Sequence, residues 1–97
     1  MLTGKQRSYL RGLANNIEPI FQLGKNGLTE NFVRQVDEAF EARELVKINV
    51  LKNCNLDIME VVNKLTDELN AEFVQSIGRK FTLYRESIEN KKIELPR

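Results

Sequence analysis

Residues Leu45-Val46-Lys47-Ile48-Asn49-Val50-Leu51 alternate between apolar and polar side chains, the period-two pattern of a strand with one buried face. Helical stripes lie on both sides of that strand in the sequence, and this constrains the fold. Phe32, Val36, Ala39 and Phe40, with Val33 at the edge, repeat at helical spacing before it; Ile58, Val61, Val62, Leu65 and Leu69 do so after it. Strands separated by helices join through right-handed crossovers and run parallel. Pro19 cannot donate a ladder hydrogen bond, so a first short strand begins there and runs through Ile20-Phe21-Gln22-Leu23. Phe73 to Ile77, a turn at Gly78-Arg79-Lys80, and Phe81 to Arg85 read as an antiparallel hairpin. Thr3-Gly4-Lys5-Gln6 is a capping box that opens an N-terminal helix with the stripe Leu10, Leu13, Ala14 and Ile17. Thr29 caps the second helix, and Asp57 with Glu60 caps the third. The order is α-β-α-β-α-β-β, an α/β (α+β) domain with a small mixed sheet covered by helices.

Ninety-seven residues, 41% of them hydrophobic and 30% charged, suit one globular domain. The domain is expected over 1–86, with 87–97 a charged, flexible tail. Cys54 is the sole cysteine and histidine is absent, which excludes an internal disulfide, the usual zinc sites and the histidine-dependent triads and dyads. Cys54 reads as an inert thiol. No apolar run approaches bilayer length and the first residues lack the apolar centre of a signal peptide, so a cytoplasmic protein without membrane association is expected. An enzyme is not expected: the acids lie on the outward sides of the second and third helices, the glycine loop lacks the Gly-Lys-Ser/Thr ending of a P-loop, and no cofactor fingerprint is present.

Net charge is only +1, but its distribution is uneven. Residues 1–27 carry Lys5, Arg7, Arg11 and Lys25 against Glu18 alone, and 73–85 carry Arg79, Lys80 and Arg85 with no acid. The intervening segments 28–44 and 53–72 are acidic. If the fold joins the two basic blocks, a near-neutral protein presents one positive face to a phosphate-rich partner. The stretch placed to meet that partner is Gly24-Lys25-Asn26-Gly27, between the first strand and the second helix. Its glycines permit a sharp turn, the helix start offers unpaired backbone N–H groups, and Lys25 adds a full charge. The competing reading is a tight connection whose lysine points to water. Arg85 either contacts the partner or forms an ion pair with Glu72 or Glu86. Tyr9 and Tyr84 suit buried rings better than base-stacking ones.

Lys5-Gln6-Arg7 with Leu10-Arg11, Leu23-Gly24-Lys25-Asn26-Gly27-Leu28-Thr29, Glu44-Leu45-Val46-Lys47, and Phe73 to Arg79 with Leu83-Tyr84-Arg85 together resemble the CRM domain, the chloroplast RNA splicing and ribosome maturation domain. The likeness is to its stand-alone bacterial YhbY-like form and covers residues 2–86. The resemblance implies a two-layer, four-stranded mixed sheet with three helices, similar to the C-terminal domain of translation initiation factor three. It further implies sheet order 1-2-4-3, with the last strand antiparallel to the others. It implies an RNA-binding protein, associated with rRNA of the large ribosomal subunit precursor during ribosome assembly; separately, a monomer is expected. The family's glycine loop maps onto Gly24, Lys25, Asn26 and Gly27 as an RNA contact, and its basic positions map onto Lys5, Arg7, Arg11, Arg79 and Lys80. The chain departs from the pattern at Asn15-Asn16, where many members carry a histidine. An alternative function is a protein-interaction module that binds a basic ribosomal protein through the acidic helix faces.

Overall fold

A computed structural model describes all residues, 1–97. Its elements are α1 (Gly4–Ala14), β1 (Phe21–Leu23), α2 (Glu30–Arg43), β2 (Leu45–Val50), α3 (Ile58–Leu69), β3 (Glu72–Ile77) and β4 (Lys80–Tyr84). The four strands form one sheet in the order β1-β2-β4-β3. β1 runs parallel to β2, and β4 runs antiparallel to both β2 and β3. The expected order 1-2-4-3, with only the last strand reversed, is the one observed.

The caps read from the sequence are formed. Thr3 Oγ1 accepts from the Gln6 N–H while the Gln6 side chain accepts from the Thr3 N–H, and Asp57 and Glu60 repeat this reciprocity at α3. Thr29 Oγ1 accepts from the Phe32 N–H at the start of α2. The hairpin is tighter than expected. Its turn is Gly78-Arg79 alone, with Lys80 already in β4, and Gly78 takes the positive φ of 61° that so short a turn requires.

Alternation along the strands divides the core in two. Val46, Ile48 and Val50 of β2, with Phe81 and Leu83 of β4, face Val36 and Phe40 of α2 and Val61, Val62 and Leu65 of α3. Leu45 and Tyr84 face the other way and pack with Val74 against Leu10 and Ala14 of α1. So α2 and α3 form the helical layer on one face, and α1 crosses one end of the opposite face. A bulge in β3 between Phe73 and Gln75 interrupts the register. The C-terminal end of α1 is fixed by Lys47, whose Nζ donates to the carbonyls of Ala14 and Ile17 at 3.1 and 3.2 Å. A cation at a helix C terminus is favoured by the dipole.

Arg85 forms an ion pair, but with neither Glu72 nor Glu86. Its guanidinium meets Asp37 at 2.7 Å and Glu41 at 3.4 Å, donates to the Leu69 and Asp37 carbonyls, and lies 5.0 Å from the centre of the Phe40 ring. Those two carboxylates stand one turn apart on α2, so one planar group reaches both.

Residues 87–97 contain no helix or strand. They are nonetheless gathered around Glu44, whose solvent-inaccessible carboxylate accepts from the backbone N–H groups of Ser87, Lys92 and Ile93 at 2.8, 2.6 and 2.7 Å. Burial pushes the Glu44 carboxyl up. The three N–H donors, with the charge of Lys91, outweigh burial and hold the carboxyl below its ordinary value. Burial, with the nearby charges of Glu44 and Glu86, pushes the Tyr84 hydroxyl up to about 12.

Candidate nucleic-acid interface

Gly24 to Gly27 is a closed four-residue turn in which the Gly27 N–H donates to the Gly24 carbonyl at 3.1 Å. Lys25 and Asn26 form its exposed tip. Of the two glycines, only Gly27 is required by the backbone conformation. Gly27 has φ +66°, a conformation that side chains disfavour. Gly24 faces the Leu51–Asn53 connection, and an added Cβ there would stand 3.4 Å from Asn53 Oδ1. Beyond the turn, Thr29 uses the Phe32 N–H, leaving the N–H groups of Glu30 and Asn31 without intrahelical partners beside the loop.

The register places the hairpin tip at the same end of the sheet. The Leu51 N–H donates to the Leu23 carbonyl at 2.8 Å, and the Val50 N–H to the Arg79 carbonyl at 2.7 Å. Arg79 returns the contact, its Nε donating to the Val50 carbonyl at 2.8 Å and its second terminal nitrogen to the Leu51 carbonyl at 2.9 Å. This side chain therefore braces the end of β2. Its charge stays at the surface, a short chain of hydrogen bonds away from the glycine turn. Lys80 is exposed and opposite Asn49 of β2 and Ile77 of β3.

The α1 cations lie elsewhere. Arg7 Nε donates to the Phe73 carbonyl at 3.1 Å and Arg11 Nε to the Val74 carbonyl at 3.4 Å, so both bind the backbone of edge strand β3. Lys5 is exposed near the start of α1, where the Leu2 N–H donates to Glu72 at the sheet end opposite the glycine turn. The fold thus brings Gly24, Lys25, Asn26, Gly27, Arg79 and Lys80 to one end, runs Arg7 and Arg11 along the neighbouring edge, and leaves Lys5 at the far end.

Sequence reasoning passed over Gln22, Lys47 and Asn49, which share the sheet face beneath the turn. Asn49 Nδ2 donates to Gln22 Oε1 at 2.7 Å. The signal was present, because Lys47 and Asn49 are the polar positions of the alternating strand and must therefore point together. No three His, Cys, Asp or Glu side chains converge to hold a metal ion. No helix is long and apolar enough to cross a membrane.

Fold and surface together define a small α+β module with a cation-tipped glycine turn at one end of a mixed sheet. Comparison makes the assignment specific. Residues 2–85 match the CRS1 / YhbY (CRM) domain model, and the chain belongs to that family. It is 50% identical over 96 residues to the "Probable RNA-binding protein YqeI" of Bacillus subtilis, covering 99% of this chain and all of that protein. It is 38% identical to a Haemophilus influenzae protein named "RNA-binding protein", across 99% of this chain and 96% of the relative. A solution structure of a Staphylococcus aureus protein superposes with a TM-score of 0.81 at 53% identity, covering 99% of this chain and 100% of that one.

Proposed function

We propose that this protein binds RNA through its phosphate backbone, with the turn Gly24-Lys25-Asn26-Gly27 as the central contact and Arg79 and Lys80 beside it. The observation that carries this reading is the convergence of the turn and the hairpin tip at one sheet end. Family membership and the names of the relatives support the choice of RNA as the polyanion. In this reading the exposed turn and the free N–H groups at the start of α2 receive a phosphate, while Lys25 and Lys80 neutralise its neighbours. Arg7 and Arg11 keep terminal guanidinium nitrogens for backbone lying along the β3 edge. Lys5 makes an outlying contact reached only by a longer RNA. The partner is rRNA of the large ribosomal subunit precursor, bound by a cytoplasmic, monomeric protein during assembly. Binding a basic ribosomal protein through the acidic helices is the weaker reading, since Asp37 and Glu41 are already engaged by Arg85.

Affinity for single-stranded RNA measured across a salt series tests the contact. Each neutralised phosphate contributes about −0.7 to the slope of log K against log salt, so Lys25→Ala should flatten the slope by about that amount. An unchanged slope and affinity would remove Lys25 from the interface. Crosslinking in cells should recover large-subunit precursor rRNA, and recovery at background level would overturn the assembly role.

A further inference from the structure

The face of the sheet that α1 leaves uncovered carries two rows of side chains. Strand register aligns Gln22, Asn49, Lys80 and Ile77 across β1, β2, β4 and β3, immediately below the glycine turn. The next row is Lys47, Thr82 and Gln75. Neither row contains an acid. Neighbouring strands are about 4.8 Å apart, so the first row is a polar track leading from the turn to the β3 edge.

At that edge the track ends in a recess of about 210 Å³ lined by Lys47, Gln75, Ile77, Lys80 and Thr82. This is smaller than the roughly 300–1,000 Å³ of pockets that enclose whole small ligands, and it suits a single ring. Its chemistry is that of a base site. Ile77 is 64% exposed and offers an apolar surface to a ring face. Gln75 spends its amide nitrogen on Asn15 Oδ1 at 3.0 Å, which orients the side chain and leaves its oxygen as an acceptor. Beneath them Thr82 is fully buried, and its hydroxyl has no hydrogen-bond partner. An unpaired hydroxyl at that depth destabilises the free protein, a cost that a hydrogen-bonding group entering the recess removes. The exposed Lys80 is in no ion pair, so its stem is free to swing aside and open the hydroxyl to an incoming group.

We infer that the recess formed by Gln75, Ile77, Lys80 and Thr82 takes an unpaired RNA base, and that the track from Gly24–Gly27 carries the connecting backbone. This rests on the RNA-binding reading and deepens it: the turn holds phosphate of any sequence, and the sheet face selects single-stranded RNA by a base edge. A duplex keeps its bases stacked and paired and so offers no splayed base to the recess. Without an aromatic side chain in either row, recognition comes from hydrogen bonds and lysine charge rather than from stacking.

Amide spectra of the full chain, titrated with an eight-nucleotide single-stranded RNA of mixed sequence and with a duplex of equal length, separate the two contacts. The single strand should shift Gly24–Gly27 together with Gln75, Ile77 and Thr82, and the duplex should shift the turn alone. Thr82→Val removes the unpaired hydroxyl at nearly constant volume, so the fold is retained or stabilised. It should weaken single-strand binding about fivefold, the worth of one net hydrogen bond, with the salt slope and duplex affinity unchanged. Gln75→Ala should act likewise. If both variants bind the single strand as the parent does, or if the sheet amides stay still, the base site is overturned while backbone binding stands. If neither RNA moves the turn and affinity is independent of salt, backbone binding falls and the base site with it.

Discussion

At Glu44 a left-handed φ of 65°, complete burial and three backbone donors coincide in one residue. A non-glycine residue in this region costs about 1–3 kcal/mol and persists only where its surroundings over-determine it. Here the Glu44 N–H closes α2 on Phe40, its carbonyl accepts from the Arg85 N–H, and its carboxylate gathers residues 87–93. Because the folded carboxyl titrates below its ordinary value of 4.5, its contribution is full above that pH. The contribution is lost as pH falls through the lowered folded value. Glu44→Gln should cost about 1–3 kcal/mol near neutrality, and the gap from the parent should narrow in urea melts repeated at progressively lower pH. A gap independent of pH would show that the charge contributes nothing. Gly27→Ala should destabilise by about 1 kcal/mol or more through its positive φ, whereas Gly24→Ala meets only ordinary contacts. Equal urea midpoints for the two variants would contradict that difference.

Among elements, what is local in physics was legible in the sequence. Thr3 with Gln6, Thr29, and Asp57 with Glu60 each act within one turn, and each cap forms where the spacing puts it. The stripes of α2 and α3 and the alternation of β2 likewise require only a period. Partners separated by long stretches of chain were not legible. Arg85 is close in sequence to Glu86 and close in the sheet to Glu72, yet α2 presents Asp37 and Glu41 to it. Arg7 and Arg11, without acids in their own helix, find carbonyls of β3 instead. Of the candidate site, the glycine turn was legible as a strand-to-helix junction, but Arg79 as a brace and the polar sheet face depend on register. α1 is held to the sheet by its stripe, centred on the fully buried Leu10, and by the hydrogen bonds of Arg7, Arg11 and Lys47 at its rim. Leu10→Ala should therefore cost about 2–5 kcal/mol and raise hydrogen exchange in α1 before α2 and α3. Uniform exchange across all three helices would show that α1 does not loosen separately.

For the whole molecule, a net charge of +1 would give little attraction to RNA if charge were spread evenly. The fold instead places Lys25, Arg79 and Lys80 at the glycine-turn end and Arg7 and Arg11 along the β3 edge, while seven of the fourteen acids lie on α2 and α3. If Lys25, Lys80, Arg7 and Arg11 each neutralise one phosphate, the salt slope on single-stranded RNA should be about −3. A slope near zero, measured by fluorescence anisotropy, would mean that the basic edge does not act as one surface. The opposite end of the sheet has a separate consequence. There Gln6 Nε2 donates to the Pro96 carbonyl at 3.0 Å, so both chain ends meet on the side away from the glycine turn. A short linker could join them into a circular permutant, and a tether or fused partner attached at either end would leave the turn clear.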